Sequence, residues 1–212
     1  MRALIIGASS NKSIGYHIGE HLRRKGDHIA YVSRSGSLGY RCNATLVHRI
    51  HEIIQEERPT LLIHAAGGKL LQPVALGSRA YDEWDWWNLG EHVIAKSMGS
   101  IVLLDAAVRA GSVKQFVALG GRTTFGDAKM AAYAVGNGAL WSAIEFANQH
   151  VRQIKTYYLD LPIVIGTKNA EGLIAAGAHT ADEHEQAIPV EKVLRTFDDI
   201  IADRIEPGRV ML

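Results

Sequence analysis

The chain has 212 residues, 47% of them apolar, enough to bury a substantial core within one domain. A formal net charge of +1, with no basic run on any one predicted helix, argues against nucleic acid and anionic membranes as partners. The lone cysteine, Cys42, excludes an internal disulfide and makes the cytoplasm the expected compartment. Met1 leads straight into the first predicted strand, so no leader is expected, and no apolar run approaches the ~18 residues of a membrane helix.

The apolar run Ala3 to Ile6 suits a strand buried on both faces. A polar loop, Gly7 to Lys12, follows. Ser13 can then cap a helix carrying Ile14, Ile18 and Leu22 on one side. Strand, glycine-opened loop and helix N-terminus together form an anion site, because free amides and the helix dipole both face the loop. A dinucleotide pyrophosphate is its expected occupant, held by Gly7, Ser9, Ser10, Asn11, Lys12, Ser13, Ile14 and Gly15. Gly7 allows the tight turn and Gly15 the close approach of backbone and ligand, although the spacing is not G-x-G-x-x-G.

The first helix should stop at Lys25-Gly26, and Ile29 to Ser33 reads as a second strand followed at once by Arg34-Ser35-Gly36. A short strand is predicted over Gly39 to Cys42. A helix follows over Thr45 to Glu57, with Leu46, Ile50, Ile53 and Ile54 at helical spacing and Pro59 as its stop. Leu61 to Ala65 is a fourth strand, closed by Ala66-Gly67-Gly68. The pattern lapses from Lys69 to about Asp85, a length that often marks a functional loop, with Trp84, Trp86 and Trp87 at its end. Those tryptophans suit a wall over the substrate, a subunit contact or plain core packing.

A long helix is predicted from His92 to Ala110, then a strand over Phe116 to Leu119 closed by Gly120-Gly121, and a helix over Lys129 to His150. Thr156 to Leu161 is a sixth strand. A loop-rich stretch to about Ala187 is the expected site of a small substrate cover, at about 168–188. Val190 to Ala202 is a final helix and Val210 to Leu212 a terminal strand. Strands alternating with helices predict an α/β fold: a single-domain Rossmann-type doubly wound parallel sheet of about seven strands with helices on both faces. The loops at Gly7, Arg34, Ala65 to Gly67, Gly120 and Pro162 then converge on one sheet edge, where such folds bind ligands.

These residues resemble the short-chain dehydrogenase/reductase family across nearly the whole chain. Ser13-Ile14-Gly15-Tyr16 is similar to the Ser-Ile-Ala-Tyr of the family's bacterial enoyl-acyl-carrier reductases. His64-Ala65-Ala66-Gly67 resembles the Asn-Asn-Ala-Gly after the fourth strand. Arg41-Cys42-Asn43 resembles the end of the third strand, where an Asp usually meets the adenine. Pro162 to Thr167 resembles the Pro-Gly-x-x-x-Thr stretch that closes over the nicotinamide; Ile163 replaces its glycine, Val164 follows, and Thr167 is kept. At the end of the second strand, Ser33-Arg34-Ser35 stands where NAD users place an acid. A guanidinium there pairs with a 2′-phosphate, and Lys12 adds charge, so NADP is expected over NAD.

The family's Tyr-x-x-x-Lys pair is represented by Tyr133 and Asn137, four apart on one helix face. The resemblance makes Tyr133 the proton donor or acceptor, and Asn137 a ribose contact without the lysine's charge. Gly120-Gly121 take the place of the orienting serine; Thr123 or Thr124 is the nearest substitute hydroxyl. Gly99-Ser100 matches a small pair that the family's catalytic Asn precedes by three residues, which puts Lys96 at that Asn. Lys96 is thus expected to supply the charge that Asn137 lacks.

His17, Glu20 and His21 match an H-x-x-E-H zinc pattern, but they lie on the helix that must pack against the sheet, and no metal is expected. His64 is a pocket or core histidine, and His184 between Glu183 and Glu185 reads as a solvated loop. The two long helices carry apolar residues on more than one face, and the resemblance implies a homodimer or homotetramer. The expected activity is NADP-dependent hydride transfer to or from a carbonyl or enoyl group of a small organic substrate. The rivals are a catalytically degenerate nucleotide-binding sensor or assembly protein, and a non-redox isomerase or dehydratase using Tyr133 alone.

Overall fold

The structure is a computed structural model that describes residues 1–67, 83–121, 131–167, 170–171 and 186–212. In chain order the elements are β1 (Arg2–Ile6), α1 (Ile14–Arg24), β2 (His28–Ser33), β3 (Tyr40–Arg41), α2 (Val47–Glu57), β4 (Leu61–His64) and α3 (Glu83–Ala110). There follow β5 (Gln115–Gly121), α4 (Ala131–His150), β6 (Lys155–Leu161), β7 (Val164–Ile165), β8 (Ile188–Pro189), α5 (Val190–Ile201) and β9 (Gly208–Met211).

Seven strands form one sheet in the order β3-β2-β1-β4-β5-β6-β9, and every pairing in it is parallel. Strands β7 and β8 form a separate ribbon. The chain works outward from β1 through β2 to β3, then crosses back to lay β4 on the other side of β1. That reversal opens a crevice beyond the carboxyl ends of β1 and β4.

Successive strand residues point to opposite faces, so a strand covered on both sides must be apolar throughout. Leu4, Ile6, Val32, Leu62, Phe116 and Ala118 meet α2, α3 and α4 through Ile50, Ile53, Ile54, Leu103, Leu140 and Ile144. Ala3, Ile5, Tyr31, Ile63, Val117, Tyr157 and Leu159 meet α1 and α5 through Ile18, Leu22, Val193, Phe197 and Ile200. Each large side chain so buried contributes about 1.5–3 kcal/mol by transfer from water. The doubly wound single-domain architecture is therefore as its sequence pattern predicts.

Several boundaries differ from the sequence reading, three of them with consequences for how the elements are read. Helix α3 begins at Glu83, nine residues before the predicted His92, so Trp84, Trp86 and Trp87 belong to a helix and not to a loop end. Apolar residues lie on more than one of its faces, which blurs the stripe that would mark its start. Strand β5 runs through Gly120 and Gly121, which pair with Asp160 and Leu161 of β6. Helix α2 starts at Val47, and its last turn closes on Arg58 in the left-handed region (φ 43°) before Pro59. Lys69, Thr123, Thr124, Lys129, His184 and most of the expected cover at 168–188 lie outside the described residues.

Candidate active site

The crevice is closed from below by backbone meeting backbone. The Gly7 amide donates to Val32 O (2.8 Å) and the Ala65 amide to Ile6 O (2.8 Å). Gly7 has φ +106°, and a Cβ there would strike the backbone of Ala65 and Ala66, so only glycine fits. Beyond it, Ser13 caps α1: its hydroxyl donates to Ser10 O (2.7 Å) and accepts from the Tyr16 amide (3.3 Å). Gly15 places the first turn of α1 against Ile5, Ala8 and Ala65. The helix N-terminus thus faces the crevice. Ser9, Asn11 and Lys12 are exposed around it, Ile14 is half-buried, and the Ser10 hydroxyl is buried without a partner among the described residues. An orphaned donor beside a helix N-terminus fits a phosphate group.

At the end of β2, Ser33 is buried, and its hydroxyl accepts from the Gly36 amide and bonds Ser35, which bonds Ser37 in turn. The turn so fixed carries Arg34 outward, where its Nη1 donates to Glu91 of α3 at 2.8 Å. Lys12 is likewise met by Glu171, at 3.0 Å. Cys42 is buried, with its thiol donating to Asn43 O, while the Asn43 side chain caps the Thr45 amide. Ala65 and Ala66 are half-buried and Gly67 exposed at the crevice edge. Pro162 and Ile163 are half-buried, and Val164 is buried in β7. The Thr167 hydroxyl donates to Val164 O (2.8 Å) and accepts from the Ala170 amide, so it closes its own turn.

Three candidate catalytic side chains meet at the carboxyl end of β5. Lys96 Nζ donates to Leu119 O at 2.5 Å, and Asn137 Nδ2 to Gly121 O at 3.3 Å. The Tyr133 hydroxyl lies over Gly121, where a Cβ would overlap it. Asn137 is buried and its Oδ1 has no partner among the described residues. Burial pushes the Tyr133 phenol above its usual range; the Asn137 hydrogen bond pulls it back and the Asp160 charge pushes it further up. Lys96 is 6% exposed, and burial lowers its ammonium to about 8.

Four neighbours, His92, Asp160, Glu91 and Glu171, were not legible as site residues, whereas a fifth, His64, was legible as a pocket or core residue. His92, 2% exposed, stacks its ring on Tyr133 with centroids 5.2 Å apart. His64, weighed as a pocket or core residue, is fully buried and bonds Ser100 Oγ at 3.2 Å; burial, then the Lys96 charge, lower it to about 3, so it is neutral. Asp160 is fully buried and pairs with Arg209 through Oδ2, and its Oδ1 has no partner among the described residues. An acid inside the apolar run Tyr157 to Leu161 was its only signal. Glu91 and Glu171 come from distant segments and gave none. In the H-x-x-E-H run, His21 pairs with Asp198 (2.9 Å) and Glu20 with Arg23, and no metal-holding group occurs among the described residues.

No protein-family model matches the chain, and no curated protein matches it. Solved structures do. The protein lin1944 from Listeria innocua superposes with a TM-score of 0.76 at 18% identity, covering 100% of this chain and 99% of that one. A short-chain dehydrogenase from Streptomyces avermitilis gives 0.73 at 18% identity, covering 100% and 87%. The NADH-type enoyl-[acyl-carrier-protein] reductase from Aquifex aeolicus gives 0.69 at 17% identity, covering 99% and 93%. The chain therefore has the fold of the short-chain dehydrogenases and reductases.

Proposed function

We propose that this chain is an oxidoreductase of the short-chain type. It binds a nicotinamide dinucleotide in the β1/β4 crevice and acts on a carbonyl or enoyl group of a small organic substrate. The observation that carries this reading is the meeting of Tyr133, Asn137 and Lys96 at the end of β5, two strands over from β1 and its glycine-opened cradle. The likeness to dehydrogenases and a reductase supports it through the fold.

When bound, the cofactor supplies or accepts the hydride. Tyr133 holds the proton. Its raised pKa keeps the phenol protonated at neutral pH, as a proton donor to a substrate oxygen must be. Asn137 bonds the phenol and steadies the oxygen once the proton has left. Lys96 contributes a buried positive charge at the same strand end, protonated below about pH 8. Arg34, standing where an acid would select NAD, favours NADP. The assembly is a homodimer or homotetramer, and the buried free Cys42 suits a reducing cytoplasm. No helix of the described residues is long and apolar enough to cross a membrane.

Tyr133→Phe tests the reading. NADPH oxidation over a panel of carbonyl and enoyl substrates is expected to fall about 10²–10⁴-fold, the usual worth of a positioned acid, with nucleotide affinity unchanged. Unchanged turnover would remove Tyr133 from the chemistry.

A nucleotide-binding sensor is the second reading. It is favoured by Gly120-Gly121 at the serine's place and by the Asn137 amide being engaged with Gly121 O. Cofactor binding without turnover on any substrate would select it.

A further inference from the structure

We infer that Glu91, on α3, sets the choice between phosphorylated and unphosphorylated cofactor by holding Arg34. The inference rests on the nucleotide-binding reading above. Arg34 alone reads as a 2′-phosphate ligand, but its Nη1 already donates to Glu91 Oε2 at 2.8 Å.

Both ends of this pair are fixed from behind. The turn bearing Arg34 is tied by the Ser33–Gly36 bond (3.1 Å) and the hydroxyl string Ser33–Ser35–Ser37, which ends on Ser9 O of the glycine loop (2.9 Å). Glu91 directly precedes His92 and lies five residues before Lys96, and both of those are buried at the active site. The backbone under Glu91 is therefore set by the site itself. The two side chains are about half exposed, so a ligand can reach them.

The consequence is electrostatic. A 2′-phosphate carries up to two negative charges. It must compete with Glu91 for the guanidinium and bear the repulsion of the carboxylate left behind. A neutral 2′-hydroxyl bears no repulsion and can donate to a carboxylate. Arg34 thus pulls toward NADP and Glu91 toward NAD, and their balance sets the ratio. No acid is needed on β2 itself for the chain to discriminate, because one is delivered from a helix 57 positions away.

The test is calorimetric binding of NADP⁺ and NAD⁺ to the full chain and to Glu91→Gln, Arg34→Gln and the double variant at low salt. Glu91→Gln is expected to tighten NADP⁺ about two- to fivefold, with NAD⁺ unchanged or weaker; exposed ion pairs are worth up to about this much. Arg34→Gln weakens NADP⁺, and in that background the Glu91 change has a smaller effect. Glu91→Ala should reproduce Glu91→Gln. The inference is overturned if the native chain binds nucleotide but Glu91→Gln shifts both forms alike or neither. A native chain that binds neither form defeats the oxidoreductase reading itself, and this inference with it.

Discussion

Lys96 is the residue whose protonation divides the pH scale for this site. Its ordinary value of 10.5 is lowered to about 8 by burial, and its Nζ is held at Leu119 O. Below about pH 8 the ammonium is present beside the end of β5; above it the charge is lost. If that charge offsets negative charge developing on Tyr133, turnover should decline as pH rises through about 8, and Lys96→Met should be slower at neutral pH and lack that limb. A pH–rate profile of the two chains checks this; an identical alkaline limb in Lys96→Met would remove Lys96 from the chemistry. Stability runs the other way. Between pH 8 and 10.5 the unfolded chain holds the proton that the native chain has released. Native stability therefore gains from this residue as pH rises through that window. Tyr133, Asn137 and Lys96 could be named as candidates because the family resemblance matches their positions along the chain, and the four-residue spacing puts the first two on one helix face. Asp160, Glu91 and Glu171 could not. Each acts through a partner 49, 57 or 159 positions away, and no local pattern encodes such a pairing.

At the scale of elements, the end of β5 decides what Tyr133 can do. Gly120 and Gly121 read in the sequence as a stop, yet they continue the strand, paired with Asp160 and Leu161. Their missing side chains are what the strand needs there. A Cβ on Gly120 would overlap the Tyr158 hydroxyl, and one on Gly121 the Tyr133 ring and hydroxyl. Composition alone cannot separate a glycine that ends a strand from one that makes room for an aromatic ring; only the partner across the gap does. Gly121→Ala is therefore expected to push Tyr133 off its seat, lowering turnover at least about tenfold and destabilising the fold by about 1–3 kcal/mol, the usual range for overpacking. In a Tyr133→Ala background the same change should cost much less stability, because the clashing ring is gone. Equal losses of stability in the two backgrounds, read by denaturant unfolding, would show that Tyr133 does not occupy that space. The late prediction of α3 has a related cause. Apolar residues on several faces leave no single stripe to read, whereas α1 and α5, which bury one face each, were placed to within a residue or two.

For the whole molecule, the two core faces account for most apolar side chains but not for the outer surface of α3 and α4. Ile94, Met98 and Ile101 recur at four- and three-residue spacing on α3, each about half exposed, and Val135 and Phe146 of α4 are more exposed still. Scattered apolar residues on a surface need no explanation, but a stripe along one of two adjacent helices does. Helices of 28 and 20 residues extend about 42 and 30 Å at 1.5 Å per residue. That is room for a standard interface of about 800 Å² per partner. Lys96 and Asn137 lie on the inward faces of these same helices, so an assembly formed across the outer faces would brace the helices that carry the site. The chain should then sediment as a dimer or tetramer at micromolar concentration. Met98→Glu with Ile101→Glu should shift it toward monomer, because two carboxylates per copy would be buried without partners. Turnover per chain should fall in step with dissociation if assembly steadies α3 and α4. A native chain that sediments at the monomer mass would mean that the stripe is not a self-association surface.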